Sequence, residues 1–192
     1  MELVMATQNK NKVKEINALL PDSIQVKTLD EIGCLEEIPE TQATLEGNAF
    51  QKARYVSAHY GVNCFADDTG LEIEALDGEP GVYSARYAGP EKNSDENMNL
   101  VLKKLADKTN RKARFRTVIA LIIDGEETSF EGIANGEITK VKSGQAGFGY
   151  DPIFRPEGFQ ETFSELSLTA KNEISHRGRA VKKLIEHLRK LR

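Results

Sequence analysis

Apolar positions along the chain switch repeatedly between two-residue and helical spacing. Glu2–Ala6 reads as a short buried strand, and the polar segment Thr7–Lys12 follows it. Val13, Ile16 and Leu20 then recur at helical spacing until Pro21 stops the run. Ile24–Leu29 reads as a second strand, and residues 30–42 are acidic and irregular. Leu45, Ala49, Ala53, Val56 and Tyr60 mark a long helix that Gly61 closes. Val62–Ala66 reads as a strand running into an acidic turn, Asp67-Asp68-Thr69-Gly70, with another strand over Leu71–Ala75. The Gly- and Pro-rich stretch from Asp77 to Pro90 predicts loop. Ser94 is the expected N-cap of a helix whose apolar face is Met98, Val101, Leu102 and Leu105.

Arg114–Ile123 and Glu127–Ala134 predict a β-hairpin joined around Asp124-Gly125. Gly144–Tyr150 is a glycine-rich loop, and Val181, Leu184, Leu188 and Leu191 line one face of a last helix. This order predicts an α/β fold: one domain over residues 1–192, with a mixed central β-sheet flanked by helices.

Composition excludes several classes. The 192 residues suit a single packed core, and 39% hydrophobic with 29% charged is ordinary for a globular chain. The net charge of −4, without a basic stripe interleaved with aromatics, argues against nucleic acid as a partner. No apolar run is long enough to cross a bilayer, so no membrane partner is expected. Met1–Thr7 lacks the basic and apolar regions of a signal peptide. Cys34 and Cys64 stand at no metal-ligand or redox spacing and read as buried thiols of a reducing cytoplasm.

Five segments carry candidate chemistry. Thr7-Gln8-Asn9-Lys10-Asn11-Lys12 joins a strand to a helix, where backbone N–H groups and the two lysines favour phosphate; otherwise it is a solvated connection. It lacks the glycines and the terminal Lys-Ser/Thr pair of a Walker A loop. Asp67-Asp68-Thr69-Gly70 delivers two carboxylates to a strand end, where one can hold Mg²⁺; the plain alternative is an Asx-turn at Asp68. Strand alternation allows one principal carboxylate there, the other supporting it. Glu40 is of interest as a second metal ligand beside Asp68, and is otherwise a solvated acid.

Gly147-Phe148-Gly149-Tyr150-Asp151-Pro152 places an aromatic ring between glycines, so Phe148 can stack on a flat ligand and Asp151 can accept from a ring N–H. The alternative is a tight turn with a core aromatic. Ser175 reads as an N-cap, which puts His176 and Arg177 in a first helical turn. Cations oppose the helix dipole there, so they answer to an anionic or carbonyl-bearing ligand or to solvent. Lys171 lies shortly before them.

Taken in order, these segments resemble the Ham1/RdgB family, the inosine triphosphatases, along nearly the whole chain. Thr7–Lys12 matches the family's first loop, and residues 40–53 match its Glu-Thr-Gly-x-Thr-x-x-x-Asn-Ala-x-x-Lys-Ala pattern. Asp67–Leu71, Pro80–Tyr87, Gly147–Phe154, and Lys171 with Ser175–Gly178 match its further motifs. Gln8, Asn11 and Gln42 depart from frequent glycines, Gly47 stands where many members carry an acid, and Thr69 replaces a serine while keeping the hydroxyl.

The resemblance implies a mixed α/β fold of two lobes with a substrate cleft between them. It implies a homodimeric, Mg²⁺-dependent pyrophosphatase that cleaves ITP, dITP and XTP or dXTP to the monophosphate and pyrophosphate, keeping deaminated purines out of nucleic acid. Thr7, Asn9, Lys10 and Lys12 would hold the triphosphate with help from Lys171. Glu40 and Asp68 would position the metal, and Asp68 would also orient or deprotonate the attacking water, with Asp67 in reserve. Thr69, Phe148, Gly149, Tyr150, Asp151, His176 and Arg177 would complete the nucleotide site, Phe148 stacking on the purine and His176 and Arg177 reading its 6-oxo group. Two rival readings are a Maf-type nucleotide pyrophosphatase and a non-catalytic nucleotide-binding protein. The first begins with a Ser-x-Ser-Pro-Arg-Arg-like segment that Thr7–Lys12 does not resemble, and the second would be expected to lose Asp68 or Lys12.

Overall fold

The structure is a computed structural model that describes residues 1–191. Among the described residues, seven strands and five α-helices follow one another as β1 (Glu2–Met5), α1 (Lys10–Asn17), β2 (Gln25–Lys27), α2 (Leu45–Tyr60), β3 (Cys64–Ile73), β4 (Pro80–Gly81), α3 (Ser94–Lys104), β5 (Lys112–Ile123), β6 (Glu126–Ile138), β7 (Phe154–Pro156), α4 (Leu168–Ile174) and α5 (His176–Lys190). The strands form one mixed sheet in the order β2-β1-β3-β5-β6-β7, with β4 paired to β3. β1 runs parallel to β2 and β3, as expected when helices connect strands, whereas β4 and β7 are antiparallel to their neighbours. Among the described residues no helix is long and apolar enough to cross a membrane.

The chain divides into two compact units. The first comprises Met1–Asp68, Thr117–Gly132 and the stretch from Arg177. Its core joins Leu3 and Met5 of β1, Ile16 of α1, Phe65 of β3, Ile119 and Leu121 of β5, and Val181, Leu184 and Leu188 of α5. The β5–β6 turn at Asp124-Gly125 lies here, and both residues have positive φ, 50° and 85°, the conformation a two-residue hairpin loop demands. The second unit comprises Thr69–Arg116 and Ile133–His176, with Leu71, Ile73, Met98, Val101, Phe115, Ile138, Phe154 and Phe163 in its core.

The largest departure from expectation concerns β3. Residues 67–70 are not a turn between two strands: a single strand runs unbroken from Cys64 to Ile73. Asp-Asp-Thr-Gly is a turn sequence by composition. Here parallel pairing to β1 on its first half and antiparallel pairing to β4 on its second hold it extended. The cap of α3 is Asn93, whose side chain accepts from the N–H groups of Asp95 and Glu96, one residue before the expected Ser94. β2 is shorter than the apolar run that predicts it. Cys34 and Cys64 are both free and buried.

Candidate active site

In the first unit, β1 ends at Met5 and the chain enters α1 through Thr7–Asn9. Asn9 caps this helix: its side-chain oxygen accepts from the N–H groups of Asn11 (3.0 Å) and Lys12 (3.3 Å), while its own N–H donates to Thr7 Oγ1 at 3.2 Å. Two of the N–H groups expected to face an anion are thus taken by Asn9. The Gln8 amide donates to the carbonyl of Glu36, so Gln8 ties this loop to the acidic segment. Lys10 and Asn11 are exposed. The first turn of α1 contains no acid, leaving the positive end of the helix dipole uncompensated by its own residues.

Lys12 points inward. Its ammonium reaches Asp67 twice, at the carbonyl (3.3 Å) and at Oδ1 (3.2 Å). Arg177 approaches the other carboxylate oxygen of Asp67, with Nε and Nη2 each 3.3 Å from Oδ2, and its Nη1 donates to Glu15 Oε2 at 2.5 Å. Asp67, Glu15 and Arg177 are all buried. Burial opposes ionisation of Asp67, but the Lys12, Arg177 and Lys52 charges outweigh it and hold the carboxyl well below the usual carboxylate range. Lys12 itself is pushed down by burial, with Asp67 pulling the other way.

Asp68 sits one residue along β3 in a different environment. Its side chain is 14% exposed, and Lys52 Nζ lies 3.7 Å from its Oδ1. Burial raises its pKa. Lys52 and Lys12 counter this, the charges of Glu40 and Asp67 reinforce it, and the net shift is upward. Adjacent carboxylates on one strand therefore differ: the surrounding cations hold Asp67 as an anion, whereas burial shifts Asp68 in the opposite direction.

Lys52 connects the two. Its ammonium donates to the Asp67 carbonyl at 2.9 Å and to Glu40 Oε1 at 2.5 Å. It projects from α2, whose buried face reads Leu45, Asn48, Ala49, Lys52, Ala53 and Val56. Burial lowers its pKa, but Asp68, Glu40 and Asp67 more than compensate and raise it. The same helix holds the Glu40 segment. Asn48 accepts the N–H of Gln42, and Gln51 exchanges two hydrogen bonds with Thr41, each 2.9 Å. Gly47 belongs to this strap: a Cβ there would lie 2.7 Å from the Gln42 Cβ, so the Gln42 side chain fills the space that a residue at 47 would need.

The second unit carries an aromatic cluster. Asp151 Oδ2 accepts from the Phe148 N–H (2.9 Å) and from Lys171 Nζ (2.6 Å), and both charged residues are buried. The Lys171 ammonium also lies 5.1 Å from the centroid of Phe148 and 5.6 Å from that of Phe163. Gly147 has φ 77°, and a Cβ there would collide with the Asp151 carboxylate. The buried ring of His176 is stacked on Phe115 with centroids 4.5 Å apart. Tyr150 is buried, and its hydroxyl donates to the Ser84 carbonyl. Phe148 and Gly149 remain half-buried in the loop, and Thr69 is half-buried in β3.

Four of the residues expected at the site have partners within the chain. Arg177, expected with His176 at the base, directs its guanidinium to Asp67 and Glu15 in the first unit. Lys171, expected on phosphate, is paired with Asp151 among aromatic rings. Asp151 Oδ2 accepts from the Phe148 N–H and the Lys171 ammonium, which ties it to its own loop. Tyr150 anchors Ser84. Conversely, Lys52 and Glu15 were assigned no role from sequence. The available signal was a charged residue on an apolar stripe: Lys52 follows Asn48 by four positions and Ala49 by three, on the helix face that packs inward.

A mixed α/β sheet whose parallel half ends in a lysine- and carboxylate-lined strand, with a helix N-terminus opening beside it, defines an anion-handling α/β protein. The chain belongs to the Ham1 family, whose model matches residues 3–187. It is similar to the dITP/XTP pyrophosphatase of Flavobacterium johnsoniae, 58% identical with 98% of each chain covered. It is also 57% identical to that of Flavobacterium psychrophilum, over 97% of this chain and 98% of the other. Among solved structures it resembles the Staphylococcus aureus Ham1 protein, with a TM-score of 0.90, 38% identity and all of both chains covered. A HAM1 protein from Coxiella burnetii gives a TM-score of 0.91 at 40% identity, with 99% of both covered.

Proposed function

We propose that this chain is a nucleoside-triphosphate pyrophosphatase that hydrolyses ITP, dITP, XTP and dXTP to the monophosphate and pyrophosphate, with Mg²⁺, as a homodimer in the cytoplasm. The gathering of Lys12, Lys52 and Arg177 about buried Asp67, with Asp68 and Glu40 at the edge of the cluster, carries this reading. The names of the relatives support the substrate class, since dITP/XTP pyrophosphatases match at 58%, 57% and 53% identity over nearly the whole chain. Free thiols suit a reducing compartment.

The first unit would handle the charge. Thr7, the Asn9 amide nitrogen and Lys10 face the phosphates, and Lys12 adds positive charge from beside Asp67. Asp68 orients the water that attacks the α-phosphorus and accepts its proton as the bond from that phosphorus to the bridging oxygen breaks and pyrophosphate leaves. Asp67 keeps Lys12 and Arg177 in place and takes no proton.

The donor set suits a divalent cation. Glu40 and Asp68 offer hard carboxylate oxygens that meet at the Lys52 ammonium. Among the described residues no group of three or more His, Cys, Asp or Glu could hold a metal. Mg²⁺ commonly binds through one or two carboxylates plus substrate phosphates, rather than in an all-protein cage. Bound there, it would offset the charge that develops on the phosphate oxygens. In the second unit, Phe148 would stack on the purine, with stacking worth about 1–3 kcal/mol per base. His176 would donate to the 6-oxo group, and adenine's 6-amino group would leave that donor unmatched.

The test is turnover of ITP, XTP, GTP and ATP with Mg²⁺, scoring pyrophosphate against orthophosphate. The expected result is one pyrophosphate per monophosphate, with ITP and XTP far ahead of ATP. Release of orthophosphate alone, or equal turnover of ATP, would overturn the proposal.

A further inference from the structure

The Glu40 segment is anchored further upstream than the site requires. Residues 36–42 lie along α2 in reverse order: Gln42 bonds to Asn48, Thr41 to Gln51, Glu40 to Lys52, and Glu36 to Tyr55 and Tyr60. Gln51, Lys52 and Tyr55 follow Asn48 by three, four and seven positions, so the four share one side of the helix. Both tyrosine hydroxyls donate to the same oxygen of Glu36, Oε1, Tyr60 at 2.7 Å and Tyr55 at 3.2 Å. Both rings are half-buried, on a helix that Leu45, Ala49, Ala53 and Val56 fix in the core. The Glu36 side chain, on the exposed face of an acidic segment, is therefore held rather than free in solvent.

No step of the proposed reaction uses Glu36. Its carbonyl, however, accepts the Gln8 amide at 3.0 Å. The Thr7–Lys12 loop is thus tied at both ends, Lys12 to Asp67 and Gln8 to Glu36. Between the ties lie exposed Lys10 and Asn11, together with Asn9. Gln8 also stands at one of the positions where the loop departs from frequent glycines of the family, and it supplies a side chain where glycine would have none.

We propose that Glu36 is a positioning residue for the phosphate loop: Tyr55 and Tyr60 clamp its side chain, and its carbonyl in turn holds Gln8 and the loop in the form that takes a triphosphate. Glu36 touches no substrate. A loop ordered before the ligand arrives spares the binding step that entropy cost. Without the clamp, ordering is charged to binding, so KM rises while the step at Asp68 keeps its rate. Because residues 36–42 also carry Glu40, the same clamp fixes the spacing between the phosphate loop and the carboxylate proposed for the metal. The inference rests on the proposed role of Thr7–Lys12 at phosphate and adds the residue that holds it.

The experiment measures KM and kcat for ITP, with thermal unfolding, on the full chain and on Gln8→Ala, Glu36→Ala, their double variant and Glu36→Gln. Gln8→Ala and Glu36→Ala should each raise KM about 3–10-fold, the net worth of one hydrogen bond, with kcat unchanged. The double variant should be no worse than either single one, because both break the same tie. Glu36→Gln keeps an oxygen for the two tyrosines and should restore the wild-type KM. Gln8 is exposed, so its variant reads the tie even where Glu36→Ala loses stability. A raised KM in Gln8→Ala alone would mean that Gln8 meets the substrate directly, and would overturn the proposal. So would wild-type KM in both single variants, effects that multiply in the double variant, or a Glu36→Gln as impaired as Glu36→Ala. A wild type that does not turn over ITP would instead overturn the proposed function.

Discussion

The two units use buried charge in contrasting ways. In the first, three cations, Lys12, Lys52 and Arg177, gather on one buried aspartate, with Asp68 and Glu40 at a more exposed edge. In the second, a single ion pair, Asp151–Lys171, is wrapped by Phe148 and Phe163 and fixes the loop that carries Phe148. The first arrangement surrounds one carboxylate with cations and leaves the next at the edge of the cluster. The second holds no such contrast; its ion pair orders an aromatic surface. The charge cluster suits reaction at phosphate and the aromatic cluster suits recognition of a flat ring. Their variants should therefore fail differently.

The largest expected effect is at Lys52. Replacing Lys52 with Met leaves Glu40 and Asp68 without their shared cation, and the Asp67 carbonyl without its shortest donor. Removing one partner of a buried pair costs about 3–5 kcal/mol. Urea unfolding should show that loss, and kcat should fall with it. Lys171→Met should cost a similar amount of stability, because Asp151 would stay buried and charged. Its kinetic signature should differ: KM for ITP rises while hydrolysis of inorganic tripolyphosphate, which has no base, is unchanged. An equal loss on both substrates would erase the proposed division between the units.

Gly147→Ala is a smaller perturbation of the same loop. It demands positive φ from a residue with a Cβ and presses that Cβ onto the Asp151 carboxylate. KM for ITP should rise by roughly tenfold, an effect of about 1.4 kcal/mol. The smallest effect concerns the strap under Glu40. Gly47→Ala should lose about 1–3 kcal/mol through overpacking against Gln42. Gln42→Gly should relieve most of that in the double variant. A double-mutant cycle on thermal unfolding would measure the coupling, and strict additivity would show that the two side chains do not compete for space.

Much of this contrast was legible in the residues, and the gaps have physical causes. Helical and strand periodicity located the long helix, the hairpin and the final helix, because burial on one face leaves a regular apolar trace. The choice of a principal carboxylate at Asp67-Asp68 followed from alternation along a strand. Which carboxylate sits among cations, however, depends on Arg177, more than a hundred positions away. The acidic turn was misread because short-range turn chemistry says nothing about ladders formed with β1 and β4. The internal partners of Arg177, Asp67 and Glu15, are invisible in sequence, because an inverted helix charge signals an anionic partner without saying where it lies. Lys52 passed unnoticed because its neighbours made the helix face look ordinary.

The most direct test compares Asp68→Asn with Asp67→Asn by kcat for ITP and by the free energy of unfolding. Asp68→Asn should keep the fold and lose about 10²–10⁴-fold in kcat, the range of a general base. Asp67→Asn should lose about 3–5 kcal/mol of stability, because Lys12 and Arg177 would lose their buried counter-charge. A fully stable Asp67→Asn without activity, beside an Asp68→Asn that still turns over ITP, would contradict the assignment.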